Sequence, residues 1–126
     1  PARKLQQIAI DDIGHFVAAL AERREQVFGK RFDIAGDELS GEEQAKVLTE
    51  AIGRPIRFQD VPPKAWSERL SQLGVPPHLL GHLDAMVELH RAGRYDRMTE
   101  DYTQLTGRAP TTMREFVERN AGAFSK

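Results

Sequence analysis

The amino-acid sequence predicts an α/β protein in which a few strands with covering helices are followed by a small helical subdomain. Three observations predict it. Residues 7–10 and 32–35 are short runs rich in apolar and β-branched residues. Each precedes acidic or hydroxyl residues and then an apolar pattern of helical period. Residues 55–61 alternate apolar and polar side chains, as a strand with one wet face does. Beyond Pro62-Pro63 the apolar spacing is helical, punctuated by Gly74, Gly93 and Gly107. Residues 1–61 are therefore read as strand–helix units of one sheet, and residues 62–126 as a helical subdomain, together one compact unit.

Taken in order, residues 7–10 form the first predicted strand. Asp11 or Asp12 then caps a helix, because a side-chain carboxylate accepts the free amide hydrogens of a first turn. Ile13, Phe16, Val17, Leu20 and Ala21 recur at helical spacing, a face expected to press on the sheet. The pattern fades near Arg24, and Gly29 marks a turn. Residues 32–35 form the second strand, with Gly36-Asp37-Glu38 as its exit. Ser40 and Glu43 have the spacing of a capping box. Ala45, Val47, Leu48, Ala51 and Ile52 then make a buried stripe, and Gly53 stops the helix. Pro55 places the third strand at an edge or at a strand start. The tail is expected to form helices over 65–73, 77–92, 100–105 and 112–121.

The 126 residues are 40% hydrophobic and 29% charged, the balance of an ordinary single domain. Eighteen Lys and Arg against 19 Asp and Glu leave a formal charge of -1. Such a chain has no electrostatic reason to seek nucleic acid or an anionic membrane. Arg3-Lys4, Arg23-Arg24 and Lys30-Arg31 are short clusters that read as solvated edges. With no cysteine, disulfides, thiolate catalysis and zinc–thiolate sites are excluded. No apolar run approaches the roughly 20 residues of a membrane span, and no basic stretch leads into an apolar signal core. The cytoplasm is the expected location. Pro1 fits either removal of an initiator Met or a cleavage boundary.

Several residues invite a chemical reading. His78 and His82 stand one helical turn apart, as a metal pair would, but Leu79 occupies the Glu position of an HExxH motif. Asp84 and Glu88 fall elsewhere on the helical wheel. The two imidazoles are expected at a helix margin in water. His90 shares a face with Leu79, Leu83 and Met86, where an imidazole lines a pocket or sits satisfied in a core. Trp66, Leu70 and Leu73 form a stripe that serves equally as core or as the wall of a cleft. Asp11-Asp12 are assigned to capping rather than to acid–base work. Asp37-Glu38 and Glu42-Glu43 are assigned to the dipole of the helix that Ser40 opens. Ser40 lacks a nucleophile-elbow context. Arg94-Tyr95-Asp96 and Thr106-Gly107-Arg108 are expected to fix loop geometry, and Arg108 to meet a carboxylate of the domain or an anion.

A family resemblance rests on motif order. Its pieces are Ile10-Asp11-Asp12-Ile13-Gly14, Phe32-Asp33-Ile34-Ala35-Gly36-Asp37-Glu38-Leu39-Ser40 and Ala51-Ile52-Gly53-Arg54-Pro55-Ile56. They continue with Val61-Pro62-Pro63-Lys64-Ala65-Trp66, Gly93-Arg94-Tyr95-Asp96 and Thr106-Gly107-Arg108-Ala109-Pro110-Thr111-Thr112, and close on Glu115-Phe116-Val117. This series resembles the C-terminal half of the NmrA-like family, a branch of the atypical short-chain dehydrogenase/reductases. The resemblance implies a partial Rossmann-like fold. In such proteins the N-terminal half carries a glycine-rich loop that binds NADP or NAD. The C-terminal half adds the last strands and a helical subdomain that walls the substrate cleft.

This chain has neither G-x-G-x-x-G nor G-x-x-G-x-x-G, and no Tyr-x-x-x-Lys pair: Thr99 follows Tyr95 by four residues, and Thr106 follows Tyr102. No catalytic, cofactor-binding or metal-binding residue is therefore carried over, and NADP or NAD is expected only in a longer parent protein. Trp66, Leu70, Leu83, Met86 and His90 are the expected substrate-pocket residues. The expected function is the substrate-side, C-terminal domain of an NmrA-like NAD(P)-binding protein, not catalytic alone, meeting a small-molecule ligand in its parent. The alternatives are a piece of an active quinone-type reductase, a stand-alone module that dimerises through an open sheet edge, and a redox-sensing regulator.

Overall fold

The computed structural model describes residues 3–124, so Pro1 lies outside the described residues. Strand β1 is Lys4–Gln7, and helices α1 (Ile10–Glu22) and α2 (Arg24–Val27) follow it. Strand β2 is Asp37–Ser40, which runs directly into α3 (Gly41–Ile52). Helices α4 (Pro63–Gln72), α5 (Pro77–Arg91), α6 (Asp101–Thr106), α7 (Met113–Arg119) and α8 (Ala121–Phe124) complete the described chain. The α/β class and the helical tail stand as the sequence predicts.

The strands differ in place and in direction. β1 and β2 pair antiparallel, with Leu5 opposite Leu39 and Gln7 opposite Asp37. The Gln6 amide donates to the Glu38 carboxylate across the pair at 2.8 Å. Gly36, just before β2, is required by close approach: a Cβ there would lie 2.0 Å from the Gln7 carbonyl oxygen. Residues 7–10, expected as a strand, split between the end of β1, a two-residue turn and the start of α1. Ala9 is the N-cap of α1 and supplies no side-chain acceptor, so neither Asp11 nor Asp12 caps the helix. Asp37-Glu38 likewise belong to β2 and not to the dipole of α3.

The other two expected strands are not strands, because side chains take their ladder groups. In residues 32–35 the Asp33 N–H donates to Asp101 Oδ2 at 2.9 Å, and the Asp33 carbonyl accepts from the Thr99 hydroxyl. The alternation survives, since Phe32 and Ile34 point into the core. In residues 55–61, Thr49 Oγ1 accepts the Ile56 N–H at 2.9 Å and donates to the Ile56 carbonyl at 3.2 Å. Both backbone groups of Ile56 are thereby held by α3, leaving none for a sheet.

The core centres on Phe16 of α1, with Tyr102 and Leu105 of α6. The Phe16 ring meets Phe32 edge-on at 5.7 Å and stacks on Tyr102 at 6.3 Å. The apolar face of α1 therefore packs on α6 rather than on a sheet. A four-residue strand spans about 13 Å, too short to cover a 13-residue helix of about 20 Å. The rest of that face stays bare, with Ile10 80% and Val17 57% exposed.

Helix α3 behaves as its local sequence dictates. The Ser40 hydroxyl accepts the Glu43 N–H and the Glu43 carboxylate accepts the Ser40 N–H at 2.7 Å, completing the capping box. Gly53 at φ 74° ends the helix. Ala45 of α3 and Val117 of α7 are buried where these two helices pack. Helices α4 and α5 pack chiefly on each other, each opened by a proline in its first turn. Ser67 donates to Asp84 across this hairpin at 3.0 Å.

Candidate functional site

The polar centre of the molecule is Asp12, 3% exposed. Its position in the first turn of α1 turns the carboxylate inward, towards α6 and the segment before α7. Oδ1 accepts from the Tyr102 hydroxyl at 3.1 Å and from the Thr111 hydroxyl at 3.0 Å. Oδ2 accepts the Thr111 backbone N–H at 2.7 Å. Burial, followed by the bond to the Asp12 carboxylate and its charge, pushes the Tyr102 phenol above its ordinary value. His15 stands one turn along α1, with Nδ1 3.9 Å from Asp12 Oδ1.

A second aspartate secures the same segment from the other side. Asp37 Oδ2, at the start of β2, accepts the Met113 N–H at 2.9 Å. Thr112 closes a capping box with Glu115, whose carboxylate is held below its ordinary value chiefly by the Thr112 backbone N–H and then by its hydroxyl. Residues 111–113 are therefore pinned between α1 and β2 by side chains far away in sequence.

Beside them opens a cavity of about 480 Å³. Ile8, Ala9 and Ile10 form one wall, and Met113 and Phe116 another, while Gln7, Asp37, Thr111 and Thr112 make the polar edge. Among the described residues, Asp37 is the one charged residue in that lining, and no Lys, Arg or His joins it. A further recess of about 520 Å³ lies along α3 and carries both signs of charge, from Glu42, Lys46, Glu50 and Arg57.

The residues expected from the sequence to line a pocket fall elsewhere. Trp66 and Leu70 lie half-buried on α4, with Leu83 and His90 half-buried on α5, whereas Met86 is exposed. None of the five lines either cavity. Near them, Asp84 Oδ1 and His90 Nδ1 are buried without a hydrogen-bond partner. His78 and His82 are exposed, and among the described residues no group of three metal-ligating side chains gathers. Sequence reasoning missed Asp12 as a buried hub, Asp37 as an anchor and the Met113–Phe116 wall. The only signal lay in Thr112 and Glu115, whose capping-box spacing marks the start of α7.

The comparisons with known proteins agree with this architecture. The NmrA-like family model matches residues 1–117. The NAD(P)H azoreductase of Xenophilus azovorans is 33% identical over 89 residues, covering 68% of this chain and 30% of that protein. A nucleoside-diphosphate-sugar epimerase from Staphylococcus aureus has a similar structure, with TM-score 0.82 and 25% identity over 92% of this chain and 40% of its own. The triphenylmethane reductase of Citrobacter sp. shares the fold at TM-score 0.82 and 18% identity, covering 96% of this chain and 42% of its own. The chain thus spans less than half the length of each of these proteins. A family model matched over nearly all of its length, and a fold shared with these longer proteins, establish that the chain belongs to the NmrA-like family.

Proposed function

We propose that this chain is the C-terminal, substrate-side domain of an NmrA-like NAD(P)H-dependent reductase, and that alone it neither holds the dinucleotide nor catalyses. The uncovered apolar surface carries this reading. Val17 lies bare on α1 at 57% exposure, and Phe28 just after α2 is 91% exposed. Apolar side chains of this size are suited to burial against a further layer. The matched relatives, each more than twice as long as this chain, have room for one.

The residues present do not fit a pyrophosphate. A helix N-terminus attracts phosphate through its free amides and dipole. Here Asp11 and Asp12 occupy the first turn of α1, and Glu42 and Glu43 that of α3, with the α3 amides already capped. Four carboxylates oppose an anion at the two places where a strand passes into a helix. The dinucleotide, NADP or NAD, belongs on this reading to the remainder of the parent protein, where it supplies the hydride.

This chain's part is to shape the cleft and exclude water from it. Residues 1–61 extend the parental sheet, and residues 62–126 form the substrate-side subdomain. The α4–α5 hairpin, with Trp66, Leu70, Leu83, Met86 and His90, forms one wall. The substrate class is an aromatic electron acceptor, as the names of the azoreductase and triphenylmethane reductase relatives suggest, and the expected setting is the cytoplasm. Among the described residues no helix is long and apolar enough to cross a membrane. Titration calorimetry tests the reading: NADPH should give no saturable heat with this chain and a saturable isotherm with the longer parent. A submicromolar isotherm on the chain alone sinks it.

One observation favours a second reading. The two-stranded sheet leaves the outer edge of each strand without a neighbouring strand among the described residues. A homodimer pairing through such an edge is the alternative, and light scattering showing a clean monomer excludes it.

A further inference from the structure

We propose that the cavity between Ile8–Ala9–Ile10 and α7 is a binding subsite for a flat, apolar molecule that is neutral or cationic and donates a hydrogen bond. At about 480 Å³ it falls in the range of small-molecule pockets. Its walls are apolar, and Ile10 and Phe116 stand exposed at it with nothing of the described chain over them. The polar edge decides the ligand's chemistry. The Thr111 hydroxyl already donates to Asp12, and the Thr112 hydroxyl to Glu115 at 2.9 Å. Their protons are spent, so these oxygens face a ligand as acceptors, as does the Asp37 carboxylate. Of the lining side chains, Gln7 alone can serve as donor or acceptor.

A sulfonate, phosphate or carboxylate therefore meets like charge at Asp37 and, among the described residues, no cation in the lining. An amine, phenol or delocalised aromatic cation meets acceptors and an aromatic ring, Phe116. The edge is also fixed before any ligand arrives. Asp12 and Asp37 hold residues 111–113 by three hydrogen bonds from Thr111 and Met113, which lowers the ordering cost of binding. That the bound molecule is a reductase substrate rests on the function proposed above, whereas the binding itself rests on the cavity.

The test is an equilibrium dye titration of this chain, followed by absorbance. Proflavine, a flat cationic diaminoacridine whose amino groups donate hydrogen bonds, is compared with the anion 1,2-naphthoquinone-4-sulfonate. The expected result is saturable one-to-one binding of the cation and at least ten-fold weaker binding of the anion. Phe116→Ala and Ile10→Arg should each weaken the cation ten-fold or more. Ile10 is 80% exposed, so its replacement leaves folding intact, and circular dichroism checks this. Leu73→Ala, an exposed position after α4, should change nothing. No saturable binding, or anion binding as tight as cation binding, overturns the proposal. So does binding that survives Phe116→Ala and Ile10→Arg but is lost in Trp66→Ala, which places the dye on the α4–α5 hairpin. Failure of the wider reading is read separately, from the NADPH isotherm of this chain.

Discussion

Replacing Asp12 by Ala should be among the most damaging substitutions outside the aromatic core. The carboxylate accepts three hydrogen bonds, from the Tyr102 hydroxyl, the Thr111 N–H and the Thr111 hydroxyl, at 3.1, 2.7 and 3.0 Å. Truncation leaves those donors without a partner. The Tyr102 hydroxyl suffers most, because its residue is 1% exposed and water cannot replace the acceptor. Thr111 is half-buried and can be partly rehydrated. A buried polar group left unmatched costs about 1–3 kcal/mol, so one full loss and two of about half that size sum to about 2–6 kcal/mol. That is a large share of the roughly 5–15 kcal/mol that holds a typical domain folded.

Urea unfolding at neutral pH, followed by circular dichroism, measures it as a fall in midpoint at an unchanged slope. Tyr102→Phe keeps the stack on Phe16 and should cost only about 1 kcal/mol. Combined with Asp12→Ala it removes the orphaned hydroxyl. The double variant should therefore be more stable than the sum of the single losses predicts, by about 1–2 kcal/mol. An Asp12→Ala loss under about 1 kcal/mol, or strict additivity in the double variant, would refute the buried-hub account.

Other predictions follow from the same contacts. Because the Tyr102 phenol is raised in the fold, the unfolded chain deprotonates first as pH rises. Its contribution is complete below about pH 10 and is lost as pH climbs through the folded value, so Tyr102→Phe should flatten the alkaline limb of a stability–pH curve. Glu43 and Glu115 are held below their ordinary value by their caps. Their contribution is present above the unfolded carboxylate range and is lost as pH falls through the folded values. Thermal melts of Ser40→Ala and Thr112→Ala should show losses of about 1 kcal/mol each at neutral pH and a weaker acid dependence than the parent chain. Gly36→Ala forces a Cβ to 2.0 Å from the Gln7 carbonyl oxygen, which requires separating β2 from β1. It should lower the melting temperature by several degrees or more, whereas Gly14→Ala, with open space around its Cβ site and a gain in helix propensity, should not lower it.

The features legible in the sequence are those whose causes lie within one helical turn. Ser40 and Glu43 meet across three residues, Gly53 ends α3 on its own backbone angle, and prolines open α4 and α5, so these elements stand where the local pattern puts them. The order of such motifs also made the family recognisable. The strands failed because a strand is completed by whatever its backbone finds, and that partner is distant in sequence. Lys4–Gln7 carries little β-branched signal, yet pairs with Asp37–Ser40. The better-looking runs 32–35 and 55–61 spend their backbone groups on Thr99, Asp101 and Thr49.

The same holds for the site. Asp11 and Asp12 look alike in sequence, one residue apart before the same apolar stripe. Helical rotation turns Asp12 inward to partners 90 and 99 residues away and leaves Asp11 in water. Only the tertiary structure decides between a capping carboxylate and a buried acceptor, because that choice depends on where α6 and residues 111–113 come to rest against α1. By itself the sequence determined the family, the class and the longer helices, while the short α2 and α8 went unread. The tertiary structure alone decided which edges pair, which acid is buried and where a ligand-sized cavity opens.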